Sequence, residues 1–389
     1  MVAAWENENA RRALKGSGLS LVALSLAACG SGSTTTTATT TTTTTTPVAQ
    51  TFTLTAGIDT VVGTAAGDTV NAGLNTNSTQ TLQGLDSIDG GDGTDTLNVV
   101  FNTAGTYAPT LTSIETLNLT TSAAITLDLV GSTSVATIKS TGSTGTVTVN
   151  NIASTSADIT IQSTAVAHTL DFANSAVTGA ADAVTVNVSG MTAGVLTVDA
   201  GIEVLNLVSA GSANTIATLT AAGANTLNIS GAQAMTITAA NTVSEIINAS
   251  TATGAITVTS NNANATTITT GSAADAVNLT GGTAVTETIS TGAGNDTVTF
   301  TANLANADVL NGGDGTDVLV GTSANLNALT STTTTSNITN FETVSVSDEL
   351  DTSAGFDISD VQEDGISTLN LTHAAASATN ITNGAEIIT

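Results

Sequence analysis

Positive charge is almost missing from this 389-residue chain: four Lys and Arg stand against 31 Asp and Glu, for a formal net charge of −27. Arg11, Arg12 and Lys15 crowd the N-terminus, so Lys139 is the lone basic side chain beyond them. Such a surface repels nucleic acid and anionic lipid and attracts cations, so no nucleic-acid partner is expected. Aromatic residues are also scarce, 2% against 40% apolar residues. That excludes a core built on stacked rings and leaves thin layers of Val, Ile, Leu and Ala. With one cysteine, Cys29, there is no intrachain disulfide framework. The signatures HExxH, GxSxG, CxxC and the P-loop do not occur, so no enzymatic activity is expected. His168 and His373 lack partner motifs and read as structural or exposed.

What is present is repetition. The stretches TITTGSAADAVNL, TISTGAGNDTVTF and VLNGGDGTDVLVG begin at residues 267, 288 and 309, a period of 21. Ile268, Ile289 and Leu310 then coincide, as do Gly271, Gly292 and Gly313, then Asp275, Asp296 and Asp317, then Val277, Val298 and Leu319. Upstream, runs such as TVTVNNI, HTLDF and EVLNLV alternate apolar and polar residues, so that one face of each can be buried. Two strands and two turns per repeat predict an all-β, parallel two-sheet β-solenoid with a narrow aliphatic interior. About ten coils between residues 115 and 321 would make a rod of ~48 Å. A β-sandwich also has short strands at this spacing, but the stacking of like residues favours the solenoid.

Stacked coils put Asp275, Asp296 and Asp317 in a column. Carboxylates ~5 Å apart repel by about 1 kcal/mol in water and more near a protein surface. With no Lys or Arg nearby, a bound cation is the expected neutraliser. Carboxylate and carbonyl oxygens suit a hard ion such as Ca²⁺, and glycines let the turn close around it.

The glycine-aspartate stretches sharpen this reading. Gly90–Asn98 (GGDGTDTLN) and Gly312–Val320 (GGDGTDVLV) fully match the calcium-binding RTX nonapeptide G-G-x-G-x-D-x-U-x; Thr291–Thr299 matches except for its first residue. Thr270–Asn278 and Gly63–Asn71 match in part. The resemblance implies Ca²⁺ bound by Asp95, Asp296 and Asp317, with Asp275 and Asp68 at the partial matches, and with Asp92, Asp314, Gly90 and Gly312 in the same turns. RTX proteins usually carry tandem nonapeptides, whereas here the matches are isolated or one per repeat. Without metal the same sequences are Gly-Asp turns. The order GGDGTDTLN then SIETLNL (113–119) recurs as GGDGTDVLV then NFETVSV (340–346), and resembles modules of bacterial S-layer and related RTX-like surface proteins.

At the N-terminus, a basic segment and a short apolar run end in Leu26-Ala27-Ala28-Cys29, which resembles the lipobox of bacterial lipoproteins. A threonine-rich tract follows, ending at Pro47. The expected organisation is a signal peptide (1–28), a lipid-anchored Cys29 with a Thr-rich linker (29–50), an RTX-like cap module (51–120), a β-solenoid (121–321) and a second, incomplete module (322–389). The chain is either a fragment or ends in an open sheet edge that pairs with a neighbour. The resemblances imply a non-enzymatic structural protein of the bacterial cell surface, held to the outer membrane by lipid and associating with itself or with neighbouring surface-layer subunits. The alternative is a surface adhesin or a Thr-rich module binding ice or polysaccharide, motivated by runs such as Thr257-Val258-Thr259.

Overall fold

The computed structural model describes residues 46–241, 245–261, 266–280, 286–302, 304–305, 307–327, 337–349, 356–357, 366–373 and 381–382. The expected signal peptide, Cys29 and nearly all of the threonine tract lie outside these residues, as does most of the acidic run 348–365.

Alternation of apolar and polar residues folds the chain into a parallel β-solenoid of about 13 turns. At ~4.8 Å per turn the shaft is ~60 Å long. Two long sheets run along it. Sheet 1 starts at Thr51–Thr53 and reaches Ile338–Thr339; sheet 2 starts at Gly105–Tyr107 and reaches Thr368–Leu371. The 16-residue strand Ala183–Val198 turns the corner and pairs in both. A smaller parallel sheet, Thr60–Val62, Ser87–Asp89 and Thr110–Thr112, flanks the first coils.

The register follows the repeat. Ile268, Ile289 and Leu310 stack in sheet 1, and Val277, Val298 and Leu319 in sheet 2. Upstream the column Val70, Leu97, Leu117, Ile138, Ile159 and Val186 continues in the same way. Pairing is continuous across residues 120–121 and 321–322, so the ladder does not break between the expected cap module, solenoid and C-terminal module. Where a coil is longer, the excess leaves as a loop: Asp68 and Asp95 are neighbours although 27 residues apart. The loop between them carries an antiparallel bridge, Leu74 to Gln80.

The interior is aliphatic, as the missing aromatics require. Phe101, Phe300 and Phe341 are the largest fully buried side chains. Phe101 packs on Tyr107 with ring centres 4.9 Å apart. One polar cluster is also inside. His168 is buried between Val147 and Leu196 in sheet 2; its Nε2 meets Ser140 Oγ at 2.9 Å and its Nδ1 meets the Val166 carbonyl at 3.2 Å. Burial holds the His168 imidazole below its ordinary pKa, partly offset by the Val166 carbonyl. His373 is exposed.

Outward residues form ladders of their own. Asn98 donates to Asn71 Oδ1 at 3.0 Å, Asn118 to Asn98 Oδ1 at 2.9 Å, and Asn228 to Asn206 Oδ1 at 2.8 Å. On the outer face of sheet 2, Thr106, Thr126, Thr148, Thr169, Thr197 and Thr220 stand in one unbroken column.

Candidate cation-binding turns

Three turns share one backbone. Their second and fourth residues are glycines in the left-handed region: Gly91 and Gly93 (φ 92° and 129°), Gly292 and Gly294 (86° and 134°), Gly313 and Gly315 (91° and 151°). Side-chain-bearing residues are strained there. Space is closed as well, because a Cβ on Gly313 would overlap the Gly292 carbonyl and one on Gly315 the Gly294 carbonyl. The turns stack so tightly that Ala293 and Gly294 pair with Asp314 and Gly315. The two complete motifs occupy different corners. Gly90–Asp95 leads into the sheet 1 strand Thr96–Phe101, whereas Gly312–Asp317 leads into the sheet 2 strand Val318–Gly321. Asp95 therefore stacks with Asp68 and Glu115, and Asp317 with Asp275, Asp296 and Glu342.

Each carboxylate in these columns accepts a hydrogen bond from the backbone of the preceding coil. Asp95 Oδ1 takes the Asp68 N–H at 2.6 Å, Asp296 Oδ1 that of Asp275 at 2.7 Å, and Asp317 Oδ1 that of Asp296 at 2.8 Å. Glutamates end both columns: Glu115 Oε2 accepts from Asp95 N at 2.8 Å, and Glu342 Oε2 from Asp317 N at 2.7 Å. The same device recurs without glycine turns, as in Asp182 N to Glu203 and Glu287 N to Asp308, both at 2.8 Å. The expected cation is not the sole source of compensation for the stacked acids. Backbone amides supply part of that compensation.

They do not supply all of it. Asp95, Asp296 and Asp317 are each 0% exposed, and in each the Oδ2 atom has no hydrogen-bond partner. At the partial matches both oxygens are used: Asp275 accepts from Ile256 N and Gly271 N, and Asp68 from Gln50 N and Thr64 N. Neither Gly271 nor Thr64 has a positive φ, so these loops follow another path. An orphaned, buried carboxylate oxygen thus accompanies the twin left-handed glycines and nothing else among the described aspartates.

Electrostatics follow burial rather than that division. Burial raises the Asp296 pKa to about 6; the Asp275 amide and the nearby Thr291 hydroxyl oppose this, and the charges of Asp275 and Asp317 add to it. Burial likewise raises Asp317, with Glu342 adding, and Asp95, with Glu115, Asp68 and Asp89 adding. Asp275 is raised by burial against the Ile256 amide, the Thr270 hydroxyl and the Gly271 amide. In Asp68 burial also pushes upward, but the Gln50 and Thr64 amides and the Thr64 hydroxyl prevail and hold it below the ordinary range.

Asp92 and Asp314, grouped with the ligands in sequence, are exposed, unlike Asp95 and Asp317. Gly90 and Gly312 are buried at the base of their turns, where a Cβ would overlap the carbonyls of Ser113 and Asn340. Among the described residues no three His, Cys, Asp or Glu side chains converge on one point. The donor each turn offers is one hard carboxylate oxygen, which suits Ca²⁺ better than a softer metal. Glu115 and Glu342 were not singled out from sequence, although each is an acid directly before the first threonine of a strand, as are Asp68, Asp95 and Asp296.

Fold and turns together define a parallel β-solenoid with buried aspartates at its corners. A comparison with models of known protein families finds no match, and a comparison with curated proteins finds none.

Proposed function

We propose that this chain is a non-enzymatic structural rod of the bacterial cell surface, stiffened by Ca²⁺ and contributing to an S-layer or similar coat. The observation that carries the reading is the set of three buried Oδ2 atoms without partners, one in each twin-glycine turn. Asp95, Asp296 and Asp317 would hold the ions together with carbonyls of their turns. Calcium would supply the positive charge that these acids lack. Without it, stacked ionised acids resist close packing of the coils; with it, stacking and ion binding become one process. Modules of this kind outside the cell bind Ca²⁺ at ~10⁻⁴ to 10⁻³ M. The acidic surface and the lipobox-like segment ending at Cys29 support placement at the cell surface, with lipid holding the chain to the outer membrane and like subunits as neighbours. Among the described residues no helix is long and apolar enough to cross a membrane. Electron microscopy of the purified chain with and without millimolar calcium tests the proposal: ordered assemblies only with calcium support it, and identical images count against it.

A second reading, a surface adhesin or a module binding ice or polysaccharide, is favoured by the threonine column from Thr106 to Thr220. Its half-exposed and exposed hydroxyls form a regular polar row. If this face binds a solid or a glycan, Thr148→Lys and Thr169→Lys will abolish adsorption while leaving calcium uptake unchanged.

A further inference from the structure

The two complete turns share more than their own residues. One coil after each lies a non-glycine residue in the left-handed region, Ser113 (φ 50°) and Asn340 (φ 57°). Its carbonyl packs against the first glycine of the turn, Gly90 or Gly312. A fully buried residue follows, Ile114 or Phe341, and then Glu115 or Glu342. The glycine N–H is held by the strand of the later coil that leads into the left-handed residue, Gly90 N to Thr112 O at 2.9 Å and Gly312 N to Thr339 O at 3.0 Å. The aspartate is gripped at both ends of its own peptide. Its N–H is bound by the glutamate, and its carbonyl accepts from Thr116 N at 2.9 Å or Thr343 N at 3.0 Å. The same closing coil thus occurs twice, at two different corners of the shaft.

We infer that Glu115 and Glu342 are positioning residues for the cations at Asp95 and Asp317. This rests on the calcium reading above and says which residues set the affinity of those two sites. Each glutamate fixes the backbone of the aspartate while leaving its Oδ2 without a protein partner. Each also adds a second negative charge beside the first, which strengthens attraction for a divalent ion. Asp317 fills the same place for the turn of Asp296 with a shorter arm.

The test uses the full chain, calcium titration calorimetry and thermal denaturation in chelator. Glu115→Gln and Glu342→Gln keep an oxygen for the aspartate N–H and remove the charge. Glu203→Gln is the control, because Glu203 caps Asp182 in the same way far from any twin-glycine turn. The expected result is an apo melting temperature equal to or above wild type, an unchanged ion count, and about 10-fold or greater loss of affinity at one site per substituted glutamate, as for other groups that orient metal ligands. Glu203→Gln should bind calcium like wild type. Unchanged affinity in both variants overturns the inference while leaving calcium binding standing. So does an equal loss in Glu203→Gln, or loss of apo structure in the Gln variants. A wild-type chain that takes up no calcium overturns the calcium reading itself.

Discussion

At the scale of single residues, charge and hydrogen-bonding capacity make separate contributions in these turns, and substitutions can separate them. Asp317→Ala removes the acceptor for the buried Asp296 N–H and should destabilise the chain by about 1–3 kcal/mol, measured by denaturant titration. Asp317→Asn keeps an acceptor and removes the charge; it should stabilise the apo chain at pH 7.5 yet weaken stabilisation by calcium. Gly313→Ala meets both a left-handed backbone and the Gly292 carbonyl, and should cost at least about 1–3 kcal/mol. The nonapeptide pattern made Asp95, Asp296 and Asp317 legible, since twin glycines and a buried aspartate go together. It sets Asp92 and Asp314 at a variable position of the same turns, and only the fold shows that these two acids face outward. It does not reveal the capping role, which depends on a partner amide a whole coil away.

At the scale of the coil, strand alternation and the 21-residue offset were enough to predict the register, and Ile268, Ile289 and Leu310 do stack. The offset loosens upstream because extra residues are expelled as loops. Asp68 to Asp95 and Phe172 to Asp199 each span 27 residues without breaking the ladder. The polar interior at His168 was not legible either, since Ser140 and His168 lie 28 residues apart. The imidazole pKa is lowered on folding, so its neutral form is favoured, and stability is lost as pH falls from about 6.5, the unfolded value, toward the folded one. His168→Gln keeps a polar partner for Ser140 and does not titrate. Protection of the amides in the strand His168–Phe172, after correction for the intrinsic pH dependence of exchange, should fall between pH 7 and pH 5 in wild type relative to this variant.

For the molecule as a whole, acids outnumber that imidazole and act in the opposite direction. Burial raises Asp86, Asp95, Asp171, Asp275, Glu287, Asp296, Asp308 and Asp317. A raised carboxyl binds its proton more tightly in the folded state. Its stabilising effect is complete below the unfolded pKa and is lost as pH rises through the folded value, about 6 for Asp296. Apo protein should therefore melt at a higher temperature at pH 5.5 than at pH 7.5, and calcium should reduce the difference by competing with protons. A calcium-loaded chain with the same slope as the apo chain would sink the idea. One property of the shaft also gives it a direction. In the caps joining Gln50 to Asp68, Asp68 to Asp95, Asp275 to Asp296 and Asp317 to Glu342, the acceptor belongs to the later coil. In these caps each rung's buried N–H is finished by its successor, so trimming from the C-terminal side leaves that amide without its acceptor, whereas trimming from the other side leaves a carboxylate without its donor and strand amides such as Thr96 N without their carbonyls. Growth during synthesis should accordingly leave the cap amide of the newest rung waiting for the coil that follows.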